Sequence, residues 1–304
     1  MGHVLGLDGG GTKTDVVVAD HNGTVIARLH GEGLDPTQGE HWEAMLAATA
    51  ERAGPVKAAV LGLPFHGEIA AVSARQSAIA ARLFGVDSCV VNDVAVAFEG
   101  AFAGGDGVLL LAGTGSMAWS RGPVGVHRVG GWGDAFGDEG SAYWIGREAL
   151  ARISQEMDGR SPTSGFATVL LGRMGIAAGD LIGWTYRMKN PRTGIAGLAA
   201  TVSDLAQGGS AEAVAIMAAA SDCLALHGLT AMRLCGTARP AAWSFAGGVF
   251  NDTSLRDGLT AAMGCAPTPP VLPPVGGAVL MAAKAAGWDT GPDFIARLAA
   301  GLTK

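Results

Sequence analysis

Charge is sparse in this chain. Only 16% of its 304 residues are Asp, Glu, Lys or Arg, and 21 basic residues against 27 acidic ones leave a net charge of −6. Proteins that bind nucleic acid neutralise phosphates with clustered Lys and Arg, so a nucleic-acid partner is excluded. Cysteine is scarce as well: Cys89, Cys223, Cys235 and Cys265 form no C-x-x-C pair and have no His beside them at ligand spacing. They read as reduced core residues. With no H-E-x-x-H pattern among the seven histidines, a protein-built zinc or iron site has no support. Long apolar runs are also missing. Mean hydropathy is high at +0.30, yet no stretch reaches the ~18 uninterrupted apolar residues of a spanning helix. Gly9-Gly10-Gly11 breaks the run Val4 to Leu7 before a signal-peptide core can form. A cytoplasmic protein with no membrane partner is expected.

At roughly 100–200 residues per domain, the length predicts two domains. Apolar runs of strand length bounded by Gly or Asp alternate with longer helical patterns, which predicts α/β layers. Strands are expected at Val4–Leu7, Val16–Asp20, Thr24–Leu29, Val56–Leu63 and Ser88–Val91, with helices at Trp42–Arg52, Ile69–Leu83 and Val94–Phe102. Asn22-Gly23 reads as a hairpin turn. Gly104-Gly105-Asp106-Gly107 then punctuates the chain, and the strand, Gly-turn, strand theme returns at Val108–Ala112, Met117–Ser120 and Val124–Val129. Helices dominate from Ser141 onward, with a strand at Trp243–Ala246 and helical patterns at Ser254–Met263, Ala278–Ala286 and Asp293–Leu302. The expected domains are 1–105 and 106–289.

Five segments carry chemistry. In Leu5–Asp15, adjacent glycines between two buried strands can aim backbone N–H groups at an anion, with Thr12, Lys13 and Thr14 nearby. Asp8 ends an apolar strand, where a carboxylate is costly unless something such as hydrated Mg²⁺ compensates it. The pattern is not G-x-x-x-x-G-K-[ST], and a plain tight hairpin is the alternative. Gly113-Thr114-Gly115-Ser116 resembles a dinucleotide turn but has no helix after it, so a second phosphate hairpin with a Thr114 hydroxyl fits better. Asn92-Asp93 follows a strand directly, where α/β sheets place ligands, so Asp93 reads as a general base or as the N-cap of Val94–Phe102. Gly130–Asp134 and Gly137–Trp144 combine glycines, carboxylates and tryptophan, a pattern suited to polyol hydroxyls. Asp138 and Glu139 equally suit the positive end of the following helix. Finally, Ser244–Asn251 is a strand ending in the pair Gly247-Gly248, whose backbone suits a nucleoside.

Taken in order, these segments resemble the actin-like, sugar-kinase and Hsp70 ATPase superfamily. Within it they resemble the branch that holds N-acetylglucosamine kinases and benzoyl-CoA reductase ATPase subunits. The most specific likeness is Gly130-Gly-Trp-Gly followed by Gly137-Asp-Glu-Gly-Ser-Ala-Tyr-Trp144. The resemblance implies two ribonuclease H-like (actin-like ATPase) α/β domains with a cleft between them, and a C-terminal helix, 290–304, packed back on the first. It implies ATP and Mg²⁺ as cofactors and an aminosugar as the substrate. The reaction would be phosphoryl transfer to the sugar 6-hydroxyl, in a homodimer. Carried over by position, Gly10, Gly11, Thr12, Lys13, Gly113, Thr114 and Gly115 hold ATP phosphates, and Asp8 holds Mg²⁺ through water. Gly247, Gly248 and Asn251 hold adenosine; Asp93 is the base; Asp35, Asn92, Asp93, Gly131, Trp132, Gly133 and Asp138 face the sugar.

Two segments depart from the pattern. Leu34-Asp35-Pro36 carries a carboxylate where the family usually has an amide, which suits the ammonium of glucosamine or sugar hydroxyls. Leu63-Pro64-Phe65-His66-Gly67-Glu68 replaces a small-residue loop, and His66 and Glu68 stay outside the expected site. An ATP-driven activase or a sugar-sensing regulator of the same fold are the rival readings. The scattered cysteines and the Gly-Thr-Gly-Ser turn weigh against the activase, and the first strand begins too early for a preceding helix-turn-helix.

Overall fold

A computed structural model describes residues 2–10, 13–36, 41–85, 87–238 and 241–303. In chain order the elements are β1 (Val4–Gly9), β2 (Lys13–Ala19), β3 (Val25–Glu32), α1 (His41–Ala53), β4 (Ala58–Leu63), α2 (Ala70–Phe84), β5 (Ser88–Asn92) and α3 (Asp93–Phe102). Next come β6 (Gly107–Ala112), β7 (Ser116–Gly122), β8 (Gly125–Gly130), α4 (Ala142–Met157), α5 (Phe166–Met174), α6 (Leu181–Tyr186), α7 (Pro191–Ala196), α8 (Leu198–Gln207) and α9 (Ala211–Leu234). The chain closes with β9 (Trp243–Ala246), α10 (Thr253–Met263), α11 (Pro274–Ala285) and α12 (Pro292–Leu302). They group into two units, 1–106 with 269–304, and 107–268.

The first unit is built on a five-stranded sheet ordered β3-β2-β1-β4-β5. An antiparallel meander, β1 to β3, is extended by parallel β4 and β5. Every residue of β4 is buried, as expected of a strand covered on both faces, whereas edge strand β3 alternates. Trp42, Leu46, Ile79 and Ala80 of α1 and α2 cover one face; Val275, Val279, Phe294 and Leu298 of α11 and α12 cover the other. The tight turn into β3 closes on Gly23 at φ +85°, with Asp20 Oδ1 accepting from the Asn22 and Thr24 N–H groups.

The second unit repeats the theme. β6, β7 and β8 form an antiparallel meander and β9 joins β6 in parallel, giving the order β8-β7-β6-β9. Helices α4, α8, α9 and α10 supply Ile145, Val202, Leu224 and Leu259 to one core with Leu110 and Trp243. By length and composition α9 is apolar enough to cross a membrane, yet Ile216, Met217, Leu224 and Met232 lie within this core.

The expected second domain, 106–289, runs too far. Residues from 269 onward, including α11, belong with 1–106 because α11 lies directly against β1, β4 and α3. Two glycines permit that approach: a Cβ on Gly6 would stand 2.3 Å from the Val279 nitrogen, and one on Gly277 would stand 2.1 Å from the Val96 carbonyl oxygen. Both obstacles are backbone, so neither can rotate away. Gly277→Ala is expected to destabilise the protein by about 3 kcal/mol through overpacking. Gly172→Ala, in an open stretch of α5 with nothing within 4 Å, should raise stability slightly through helix propensity. Thermal melts of the two variants check the contrast.

Candidate active site

In the first unit, β1 and β5 both deliver carboxylates to the carboxyl ends of the parallel strands. Asp8 lies one residue before the end of β1, paired across the sheet with Asp15 and with Gly62 of β4. Asp93 is the first residue of α3, directly after β5. Between them Gly62 has no Cβ; one would stand 2.4 Å from Val96 and 3.4 Å from the Asp93 Cα, so the glycine lets α3 settle over β4. Burial and the neighbouring Asp93 and Asp15 charges push the Asp8 carboxyl up to about 7, against the pull of Lys13. Burial and the Glu68 charge push Asp93 up to about 6, although its Oδ1 accepts the Val94 N–H at 2.9 Å.

The helix cap belongs to Asn92 rather than Asp93. Asn92 Oδ1 accepts the Val94 N–H at 3.0 Å, and its amide donates to the His66 carbonyl at 3.0 Å and to Glu68 Oε1 at 3.2 Å. The Asn92 amide expected at the sugar is therefore engaged within the protein. The loop left out of the expected site is the partner: Phe65 sits at φ +63°, and buried Gln76 donates to the Pro64 carbonyl and meets His66 Nδ1 at 3.1 Å. Glu68, set aside in the sequence reading, thus lies beside Asn92 and Asp93, since folding brings it 24 positions across to Asn92.

Of the first phosphate turn, Gly11 and Thr12 lie outside the described residues. Gly10 donates to the Lys13 carbonyl at 2.9 Å and accepts from Leu34 at 3.0 Å, which sets half-buried Asp35 beside the turn. The exposed Lys13 ammonium lies 3.7 Å from Asp15 Oδ2, with His30 on the other Asp15 oxygen at 2.5 Å.

In the second unit the expected phosphate and adenosine segments converge. Gly247 at φ +113° runs so close to the end of β6 that a Cβ would stand 2.3 Å from the Ala112 carbonyl oxygen. Gly113, Thr114, Gly248 and Asn251 then line one cavity of about 580 Å³, closed by Ala196, Gly197, Ala200 and Ser203 of α7, α8 and their junction. The Gly113–Ser116 turn is pinned to the start of α4 by Ala142 N–H to Gly113 O at 2.8 Å and Ser116 Oγ to Glu139 O at 2.7 Å. At the cavity floor burial alone would raise the Asp252 carboxyl. Donors from Ser203, Ser254 and the Leu255 N–H outweigh it and hold Asp252 below the usual range.

The expected sugar segment follows β8. Gly130, Gly131 and Gly133 take positive φ of 74°, 72° and 89°, and the Arg128 guanidinium donates to the Gly130 and Gly131 carbonyls while lying 5.8 Å from the exposed Trp132 ring. Buried His227 sits beneath Gly130, 3.6 Å from Glu139. Asp138 is 2% exposed at φ +56° and accepts from Arg192 Nη2 at 2.7 Å. That arginine, 54 positions away, left no trace in the sequence pattern.

An antiparallel meander extended by parallel strands, present in both units, is the arrangement of an actin-like ATPase fold. The chain belongs to the BadF/BadG/BcrA/BcrD ATPase family, whose model matches residues 5–282. It is 29% identical over 207 residues to an N-acetyl-D-glucosamine kinase of Dictyostelium discoideum, 61% of this chain and 65% of that one. It is 34% identical over 116 residues to an N-acetylmuramic acid/N-acetylglucosamine kinase of Clostridium acetobutylicum, 38% of each. The chain thus spans less than two thirds of either curated relative. A solved Chromobacterium violaceum structure designated an N-acetylglucosamine kinase superposes with TM-score 0.72 at 25% identity, over 92% of this chain and 99% of that one. A ROK family glucokinase from Streptomyces griseus shares the fold at TM-score 0.57 and 18% identity, over 92% and 98%.

Asp8 sets a pH test. Its carboxyl is neutral in the folded chain up to about pH 7 but ionises near 3.8 when unfolded, so its contribution to stability falls as pH rises between those values. At about 1.4 kcal/mol per pH unit the penalty above pH 7 is of the order of 4 kcal/mol. Asp8→Asn is therefore expected to match the parent's stability at pH 4 and exceed it at pH 8 without metal. Urea unfolding at both pH values checks this.

Proposed function

We propose that the protein is an ATP-dependent aminosugar kinase transferring the γ-phosphoryl of ATP to the 6-hydroxyl of N-acetylglucosamine or glucosamine. The observation that carries this reading is the pair of half-buried carboxylates, Asp8 and Asp93, raised to about 7 and about 6 at the carboxyl ends of the parallel strands of the first sheet. Such a pair suits two jobs, holding a cation and accepting a proton. Asp8 fits Mg²⁺: it is a hard oxygen donor crowded by like charge, and one carboxylate with waters and phosphates is the usual Mg²⁺ environment. Bound there, Mg²⁺ would neutralise charge on the polyphosphate.

In this mechanism Asp93, ionised above its raised pKa, accepts the proton of the attacking sugar hydroxyl. Glu68 and Asn92 hold the turn that sets the orientation of Asp93. The Gly113–Gly115 backbone receives phosphate oxygens, and the cavity lined by Gly248 and Asn251 takes the nucleoside. Exposed Trp132 offers an apolar ring to the sugar, beside the Gly131–Gly133 backbone that lets it approach closely. The homodimer, and the choice that Asp35 makes at sugar C2, belong to the same proposal.

Coupled ADP release with Mg-ATP and N-acetylglucosamine, glucosamine, N-acetylmuramic acid, glucose or a blank tests the reading. Strong dependence on one aminosugar is expected; equal release in the blank would contradict it and favour an ATP-driven switch. Asp93→Asn should lower kcat at least about 10²-fold, since the proton acceptor is gone. In the parent, kcat/KM should fall below about pH 6, and Glu68→Gln should move that fall to lower pH by removing a charge that raises Asp93. A pH profile of both proteins measures the displacement.

A further inference from the structure

The nucleotide cavity presents an electrostatic problem. Its lining includes Asp204 and Asp252 and, among the described residues, no Lys or Arg. A triphosphate brought there needs positive charge beyond what backbone N–H groups supply. Lys13, at the other phosphate turn, already lies beside Asp15.

One cation stands at the edge of this cavity. A Cβ on Gly115 would lie 2.8 Å from Arg192 Nη2 and 2.7 Å from Asp138 Oδ2, so the phosphate turn, the acidic residue of the sugar segment and this guanidinium meet at one point. Gly115 has no positive φ to explain it; the glycine makes room for the guanidinium. Arg192 is held there by construction. Asn190 caps α7 and Pro191 starts it, while the Ile195 carbonyl lies where a Cβ on Gly146 of α4 would be, 2.1 Å away. The next residue, Thr193, lines the cavity itself.

The guanidinium is not saturated. Nη2 donates to Asp138 and Nε lies 3.5 Å from Asp134 Oδ1, but Nε is buried with no hydrogen-bond partner. A planar fork with five donors keeps capacity for phosphate oxygens. Asp138 meanwhile holds the left-handed conformation that is strained for a residue with a Cβ, as expected where geometry serves a site.

We propose that Arg192 is a catalytic residue that binds the terminal phosphoryl group of ATP beside Gly115 and neutralises it during transfer. The inference rests on the reading of Gly113–Gly115 as a phosphate turn and of Asp138 as a sugar ligand. Its test reads nucleotide discrimination without sugar. Calorimetric affinities for Mg-ADP and for a non-hydrolysable Mg-ATP analogue are compared in the parent, Arg192→Gln, Arg192→Lys and Asp138→Asn.

The expected result is that Arg192→Gln weakens the analogue tenfold or more and ADP less than twofold. Arg192→Lys should lie between, and Asp138→Asn should keep the parent's ratio. If Arg192→Gln leaves the ratio unchanged, whether both affinities fall or neither does, Arg192 is a strut for Asp138 and the proposal is overturned. Should Arg192→Gln not fold, Arg192→Lys decides by the same ratio. A changed ratio in a protein that phosphorylates no sugar upholds the role of Arg192 and refutes the aminosugar. Sugar-dependent activity that survives Arg192→Gln with kcat within threefold does the reverse.

Discussion

Much of the first unit follows from placing a carboxylate at the end of a buried strand. Asp8 terminates a run of apolar residues whose side chains are fully enclosed, so its charge has little solvent to stabilise it. Asp15 opposite and Asp93 nearby add to the strain, and Lys13 only partly relieves it. On the proposed reading, a cation and a polyphosphate bound beside Asp8 would offset that cost. The arrangement is therefore intelligible as a binding site and hard to explain as a stability device.

Missing side chains complement that charge. Gly62 lets α3 carry Asp93 over β4, Gly247 lets the strand end after β9 cross the end of β6, and Gly115 opens the space that Arg192 and Asp138 fill. The obstacle to a Cβ is the Val96 side chain at Gly62, backbone at Gly247 and a charged pair at Gly115. The functional segments are thus glycine-rich for reasons of contact as well as conformation. Gly6 and Gly277 extend the logic to the scaffold by drawing α11 onto β1 and α3.

Much of this was legible in the sequence. Short apolar runs ending in glycine located the strands, and their recurrence after Gly107 matches the two meanders, because a strand buried on both faces must be apolar throughout. Gly113, Thr114, Gly248 and Asn251, singled out in the sequence by the glycine-rich turns that end two strands, line one cavity. Long-range pairing was not legible. Nothing local to Pro274–Ala285 says that it packs on β1, and nothing near Arg192 says that it meets Asp138. The exchange of roles between Asn92 and Asp93 was hidden for a related reason: either side chain can cap a helix, and the Glu68 loop decides between them.

The central claim is that these carboxylates and the glycine-lined cavity serve phosphoryl transfer to a sugar hydroxyl. The most direct measurement is phosphorus NMR of the protein with Mg-ATP and N-acetylglucosamine or glucosamine. The account predicts one phosphomonoester per ADP, its phosphorus coupled to the two methylene protons at C6. Inorganic phosphate as the sole partner of ADP, or an ester at the anomeric carbon, would contradict it.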